Sequence, residues 1–162
     1  DIARQILRHR SFSFQEYSQR YADPTKDLGF VKREARLQDL KNRQNSIETG
    51  SDNERLALEW QAIQEYALGA AKDTYNWAIE NGIAKEQARA VLPEGLTEST
   101  IIMAGSLRSW VHYCQLRMDK ATQKEHRIIA EQCWDIIAHH FPDVKKALDD
   151  MAAQAEFERK LP

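Results

Sequence analysis

Apolar residues recur along most of this chain at the spacing of helices. Leu56, Trp60, Ile63, Ala67 and Ala70, continued by Tyr75 and Ala78, predict one long helix over about 52–81. Ser51 and Glu54 form a Ser-x-x-Glu capping pair at its start, and Asn81-Gly82 supplies the stop. A short helix follows over Lys85–Leu92, ended by Pro93, and residues 94–100 read as a loop. The next helix is predicted over about 101–118, with Ile102, Leu107, Val111 and Cys114 turned inward. Two more cover about 120–140 and 142–158, parted before Pro142. Residues 1–10 read as the last turns of a helix with Ile2, Ile6 and Leu7 on its apolar side. From residue 12 the period changes to two: Phe12, Phe14 and Glu16 point one way, Ser13, Gln15 and Tyr17 the other. That segment is a strand or extended stretch ending at Asp23-Pro24. Residues 30–45 are polar and partly extended, and 46–53 form a loop. The pattern predicts an α+β chain, mainly helical, with a few strands near its beginning and no internal repeats or linkers.

Composition narrows the class. A chain of 162 residues is expected to be a single domain, and 42% hydrophobic with 30% charged residues suits a globular protein. The net charge of −2 provides no general basic field for nucleic acid, so no nucleic-acid partner is expected. No apolar run reaches the roughly 20 residues that a membrane-crossing helix needs, and no signal-peptide pattern is present. Cys114 and Cys133 lie in helical patterns without metal-ligand spacing. They read as buried free thiols in a reducing cytoplasm, or in the host cytoplasm if the source is viral. The chain opens on Asp1 without an initiator Met and runs straight into helical pattern, so a missing N-terminal segment is expected.

The chemistry concentrates at the start. Arg8, His9 and Arg10 stand side by side, and after seven intervening residues comes Ser18. Arg4 and Arg20 add to the cluster, and between Asp1 and Asp23 only Glu16 is acidic. Guanidinium groups grip phosphate and carboxylate through a planar fork, so the cluster asks for an anionic, phosphorylated ligand. Cations at a helix C-terminus also suit the dipole, which accounts for one basic residue better than three. Downstream, Arg108, His112 and Arg117 are spaced by four and five. On a helix these steps turn by about 40° and about 140°, so Arg108 and His112 share a face and Arg117 is splayed. The face serves bound ligands or is a solvated basic edge. Arg89, flanked by Ala88 and Ala90, is either a ligand contact at a packed surface or a snorkelling surface arginine. His139-His140 end a helix and suit C-capping better than metal binding, and His126, between Glu125 and Arg127, reads as solvated. No metal is expected. The six glycines are scattered, with no phosphate loop, nucleophile elbow or Cys-x-x-Cys pair, which disfavours a nucleophile-based hydrolase.

Arg-His-Arg, seven residues and then Ser resembles the signature of the flavin-dependent thymidylate synthases. Further blocks agree in order: Ala3-Arg4-Gln5, Glu16 to Tyr21, Gly82-Ile83-Ala84, and Ala88 to Pro93. Gly105 to Trp110 with His112, Leu116-Arg117 and Gln123-Lys124-Glu125 follow. The resemblance covers roughly residues 2–142 and implies the fold of that family. It implies a homotetramer, with active sites shared between subunits, that methylates deoxyuridine monophosphate (dUMP) to thymidine monophosphate (dTMP). Methylenetetrahydrofolate gives the carbon, and NADPH gives the hydride by way of FAD. By the same resemblance Arg8, His9, Arg10, Glu16, Ser106, Leu107, Arg108 and His112 bind FAD. Gln5, Arg8, Glu16, Tyr17, Ser18, Gln19, Arg20, Arg89 and Arg117 bind dUMP, with Ser18 and Arg20 at its phosphate and Arg89 reaching in from a neighbouring subunit. Arg117 is then the catalytic residue, set against the uracil ring and favouring its N3-deprotonated form. Family members are longer, and their N-terminal part adds sheet strands and flavin contacts including a histidine. Two other readings compete: a non-catalytic helical module binding nucleotides or RNA through Arg4–Arg20, and a structural helical domain with charged faces. The second leaves the ordered arginine blocks unexplained.

Overall fold

The computed structural model describes residues 2–21 and 23–159, without the side chains of 155–159. The chain divides into two compact units, Asp1–Ala104 and Gly105–Pro162. In the first, α1 (Ile2–Ile6) buries Ile2 and Ile6. The helix expected through residue 10 stops at Ile6. His9 N–H donates to the Ile6 carbonyl at 3.0 Å and Phe12 N–H to the His9 carbonyl at 3.2 Å. Arg8 and Arg10 therefore lie on turns and are exposed. Strand β1 (Ser13–Glu16) keeps the predicted alternation at its apolar positions: Phe12 is buried and Phe14 half-buried, with rings 6.2 Å apart.

The partner of β1 is a strand that the sequence pattern assigns to a helix. Strand β4 (Ile101–Ala104) pairs antiparallel with β1, Ser13 opposite Ala104 and Glu16 opposite Ile101. Ile102 is thus on a strand and 63% exposed, not inside a helix. Ile101 and Ile102 are β-branched and the Gly105-Ser106 pair breaks the run, so β1's free backbone groups capture the segment. A hairpin was also hidden in polar sequence: β2 (Arg36–Gln38) pairs antiparallel with β3 (Ser46–Glu48). Its turn is organised by Asp39, whose carboxylate accepts the N–H groups of Lys41 and Asn42 at 2.8 and 3.1 Å and the Asn45 side chain at 3.2 Å. These hydrogen bonds hold the Asp39 carboxyl below its usual range.

Helix α2 (Glu54–Glu80) runs for 27 residues, close to the predicted span. The Ser51–Glu54 capping box does not form. Ser51–Asn53 make one 3-10 turn, and Asn53 is the N-cap without a side-chain bond. The C-terminal stop matches the expectation. Gly82 adopts φ +77°, Ile83 N–H donates to the Ala78 carbonyl at 2.9 Å and Gly82 N–H to the Ile79 carbonyl at 3.1 Å. This is a Schellman cap. The expected Lys85–Leu92 helix is two pieces, α3 (Lys85–Ala88) and a 3-10 turn at Arg89–Val91. Tyr75, Ala78, Ala88 and Leu92 form a core between them, with Phe30, Ala71 and Ile79 packed against it. Phe30 reaches that core because its loop runs beside the 94–100 loop: Val31 N–H donates to the Leu96 carbonyl at 2.9 Å and Glu98 N–H to the Gly29 carbonyl at 2.8 Å.

The second unit is helical: α4 (Leu107–Arg117), α5 (Lys124–His140) and α6 (Pro142–Arg159). Ser106 caps α4, its hydroxyl oxygen accepting the Ser109 N–H at 3.2 Å. Tyr113, Cys114, Ala130, Ile137 and His126 are buried between α4 and α5. No described helix is long and apolar enough to cross a membrane.

Candidate active site

In the first unit the candidate phosphate residues lie on one turn. Tyr21 N–H donates to the Ser18 carbonyl at 3.2 Å, and Arg20 N–H approaches the Ser18 hydroxyl at 3.4 Å. The turn leaves Tyr17, Ser18 and Arg20 exposed and Gln19 half-buried. It is fastened to α3 by two adjacent residues. Arg20 Nη2 donates to Glu86 Oε2 at 2.8 Å, and Lys85 Nζ donates to the Tyr21 carbonyl at 3.1 Å. The half-buried Arg89 follows three residues after Glu86, at the start of the 3-10 turn. Glu16 continues β1 towards this turn: its Oε1 accepts the Ser99 hydroxyl at 2.8 Å, and Tyr17 N–H donates to the Thr100 carbonyl at 2.9 Å.

The basic cluster is less starved of acids than the local sequence implies. Glu86 reaches Arg20, and Glu94 pairs with Arg4 from the loop after Pro93. Arg4's contact holds the Glu94 carboxyl below its usual range. No local pattern signals these partners, which lie 66 and 90 positions away. Gln5 is half-buried on α1, and His9 stands edge-on to Phe12 with ring centroids 6.5 Å apart.

The second unit carries the other group. Arg108, His112 and Arg117 all lie on α4, so the angular relation read from their spacing holds. Arg108 and His112 are exposed, and Arg117 is half-buried in the last turn. Ser106 spends its hydroxyl on the helix cap. Leu107 lines an apolar hollow of about 370 Å³ with Gly105, Trp110, Cys133, Ile136, Ile137 and Phe141.

His126 is the clearest departure from the sequence reading. It is fully buried rather than solvated, and its Nε2 lies 3.1 Å from the Tyr113 hydroxyl. Burial, then the neighbouring Cys133 and Cys114, push the Tyr113 hydroxyl well above its ordinary pKa, while the Arg117 charge pulls the other way. Burial, then Cys133, push the Cys114 thiol up to about 12. A thiol so held is no nucleophile at neutral pH. Among the described residues no group of three or more His, Cys, Asp and Glu converges to hold a metal. His139 and His140 sit exposed in the last turn of α5.

The sequence profile of the thymidylate synthase complementing protein family matches residues 1–143. The chain belongs to that family. It is 46% identical over 148 residues to a probable flavin-dependent thymidylate synthase of Paramecium bursaria Chlorella virus 1, covering 91% of this chain and 66% of the relative. It is 47% identical over 149 residues to the flavin-dependent thymidylate synthase of a Synechocystis strain, with the same coverage of both chains. The chain thus spans just under two thirds of those relatives' length. Among solved structures it resembles a UMP/dUMP methylase from Streptomyces cacaoi bound with 5-Br UMP. The TM-score is 0.69 and the identity 25%, over 85% of this chain and 63% of that one. The same methylase bound with 5-Br dUMP gives a TM-score of 0.68. The mainly helical α+β architecture therefore agrees with the family's fold.

Proposed function

We propose that the protein is a flavin-dependent thymidylate synthase. It converts dUMP, methylenetetrahydrofolate, NADPH and a proton to dTMP, tetrahydrofolate and NADP⁺, with FAD as its cofactor. The observation that supports this reading is the Ser18–Tyr21 turn, which carries the signature serine and is fastened to α3 through Arg20–Glu86 and Lys85; Arg89, three residues beyond Glu86, is the residue that reaches the nucleotide of a neighbouring subunit. Ser18 and Arg20 bind the substrate phosphate there, with Gln5, Arg8, Glu16, Tyr17 and Gln19 around the nucleotide. A phosphate dianion competes well for the Arg20 fork because charge-assisted, bidentate contacts are the strong ones.

The residues present suit FAD. Arg8 and Arg10 are exposed cations on turns, able to face a pyrophosphate, with His9 beside them. Glu16, Ser106, Leu107, Arg108 and His112 complete the set we assign to the flavin. When bound, the flavin supplies hydride chemistry. The protein's part is position and field. The Arg117 guanidinium stabilises negative charge on the uracil ring, which enriches C5 without a covalent enzyme adduct. Raised by burial, the Cys114 thiol takes no part.

A homotetramer with shared sites fits the outer surface of α2. Leu56, Trp60, Ile63, Tyr66 and Trp77 are all at least 41% exposed in the single chain, and helical spacing places them on one side. Exposed apolar side chains on one side of a helix suit contact with further copies. The test is spectroscopic. Purified protein loaded with FAD is expected to be yellow, to bleach with NADPH, and to form dTMP. Arg117→Ala should keep the flavin and lose methyl transfer. A folded preparation that stays colourless with FAD overturns the proposal, and an active Arg117→Ala removes Arg117 from the mechanism.

A further inference from the structure

We propose that the buried Tyr113–His126 hydrogen bond is a positioning contact for Arg117. Tyr113 and Arg117 are four residues apart on α4, about 40° round the axis, so the anchored ring lies one turn below the guanidinium on nearly the same side. His126 approaches from the first turn of α5. The pair thus spans the two helix ends that flank the 118–123 connection, and it fixes how α4 is rotated where Arg117 leaves it.

The chemistry of the pair supports a role beyond filling space. Tyr113 is 1% exposed and His126 is 0% exposed, with ring centroids 5.7 Å apart. Trp110 packs edge-on against Tyr113 at 5.9 Å, and the Cys114 side of the helix is sealed. Two apolar rings fill such a space without desolvating a hydroxyl and an imidazole, whereas a buried polar pair is satisfied in only a narrow range of geometries. The hydrogen bond therefore selects one register of α4 against α5. A misplacement of about 1 Å at a reacting group can cost about 100-fold in rate, so register at this turn matters to a residue acting on a substrate ring.

The inference rests on the proposed role of Arg117, and the test separates the two. The FAD-loaded protein is compared with Tyr113→Phe, His126→Gln and the double variant Tyr113→Phe/His126→Leu. Readouts are melting temperature, kcat and KM for dUMP, and the NMR signals of the Arg117 and Arg108 Nε–Hε groups. Tyr113→Phe is expected to lower kcat at least about 10-fold with the KM for dUMP unchanged. It should also broaden or shift the Arg117 signal while sparing Arg108. His126→Gln, which keeps a hydrogen-bonding side chain, should recover most of kcat. The apolar double variant should regain the wild-type melting temperature without regaining kcat. A double variant with wild-type kcat and an unchanged Arg117 signal overturns the inference, as does parallel loss of flavin, substrate affinity and rate in every variant. A wild-type protein that makes no dTMP refutes the functional proposal instead, while the Arg117 signal still tests the anchoring.

Discussion

The same substitution at two glycines of one helix should change stability in opposite directions. Gly82 closes α2 with φ +77°, and a Cβ built on it meets nothing within 4 Å. The cost of Gly82→Ala is therefore backbone strain alone, about 1–2 kcal/mol for an L-residue in the left-handed region. For a chain of this size that corresponds to a fall in melting temperature of roughly 2–8 °C. Gly69 lies inside α2, is not in the left-handed region, and its Cβ would also meet nothing within 4 Å. Gly69→Ala removes unfolded-state freedom and should stabilise by about 0.5–1 kcal/mol. Thermal and urea unfolding at one fixed protomer concentration read both, since association shifts apparent stability. Gly82→Asn should lose less than Gly82→Ala, because Asn tolerates this conformation better. A Gly82→Ala variant as stable as the parent, or more stable, refutes the Schellman assignment, and a destabilised Gly69→Ala refutes the reading of Gly69 as an open helical position. The cap also has a functional consequence. It sets the exit of the chain into α3, which carries Lys85 and Glu86 and delivers Arg89, so Gly82→Ala should weaken dUMP binding as well.

Three further outcomes are expected. The Arg20 and Glu86 side chains are 56% and 47% exposed. A pair this wet is worth about 0–1 kcal/mol, so Glu86→Gln frees Arg20 and tightens dUMP up to about 5-fold by calorimetry; weaker binding would mean that Glu86 orients Arg20 instead. The Cys114 pKa rises on folding from 9.0 to about 12, so its stabilising contribution is complete below pH 9 and is lost as pH rises towards 12. Urea unfolding between pH 8.5 and 11 should show that slope, flattened in Cys114→Ala; equal slopes refute it. Ile63→Glu alters a side chain already 61% exposed in the single chain, so the monomer fold should survive while light scattering reports a smaller assembly. An unchanged mass would take α2's outer face out of subunit contact.

Helices were readable wherever local rules set them. The Asn81-Gly82 stop, the breaks at Pro93 and Pro142, and the four- and five-residue steps of Arg108, His112 and Arg117 depend only on nearby residues and helical geometry. The order of Arg-His-Arg, Ser18, Arg89, Arg108 and Arg117 was equally legible, because it is a property of the chain itself, and it led to the family. Pairing was not readable. Ile101–Ala104 is a strand because β1 offers it hydrogen bonds, and residues 36–48 form a hairpin whose turn is held by polar side chains rather than by apolar alternation. Glu86 and Glu94 meet Arg20 and Arg4 across 66 and 90 positions, a proximity that no local pattern encodes. His126, charged on both sides in sequence, went into the interior because α4 and α5 close over it and Tyr113 satisfies it there. Local propensity acts over a turn or two of chain. Which polar group is buried, and which distant charge it meets, is decided only when elements pack and every desolvated donor must find an acceptor.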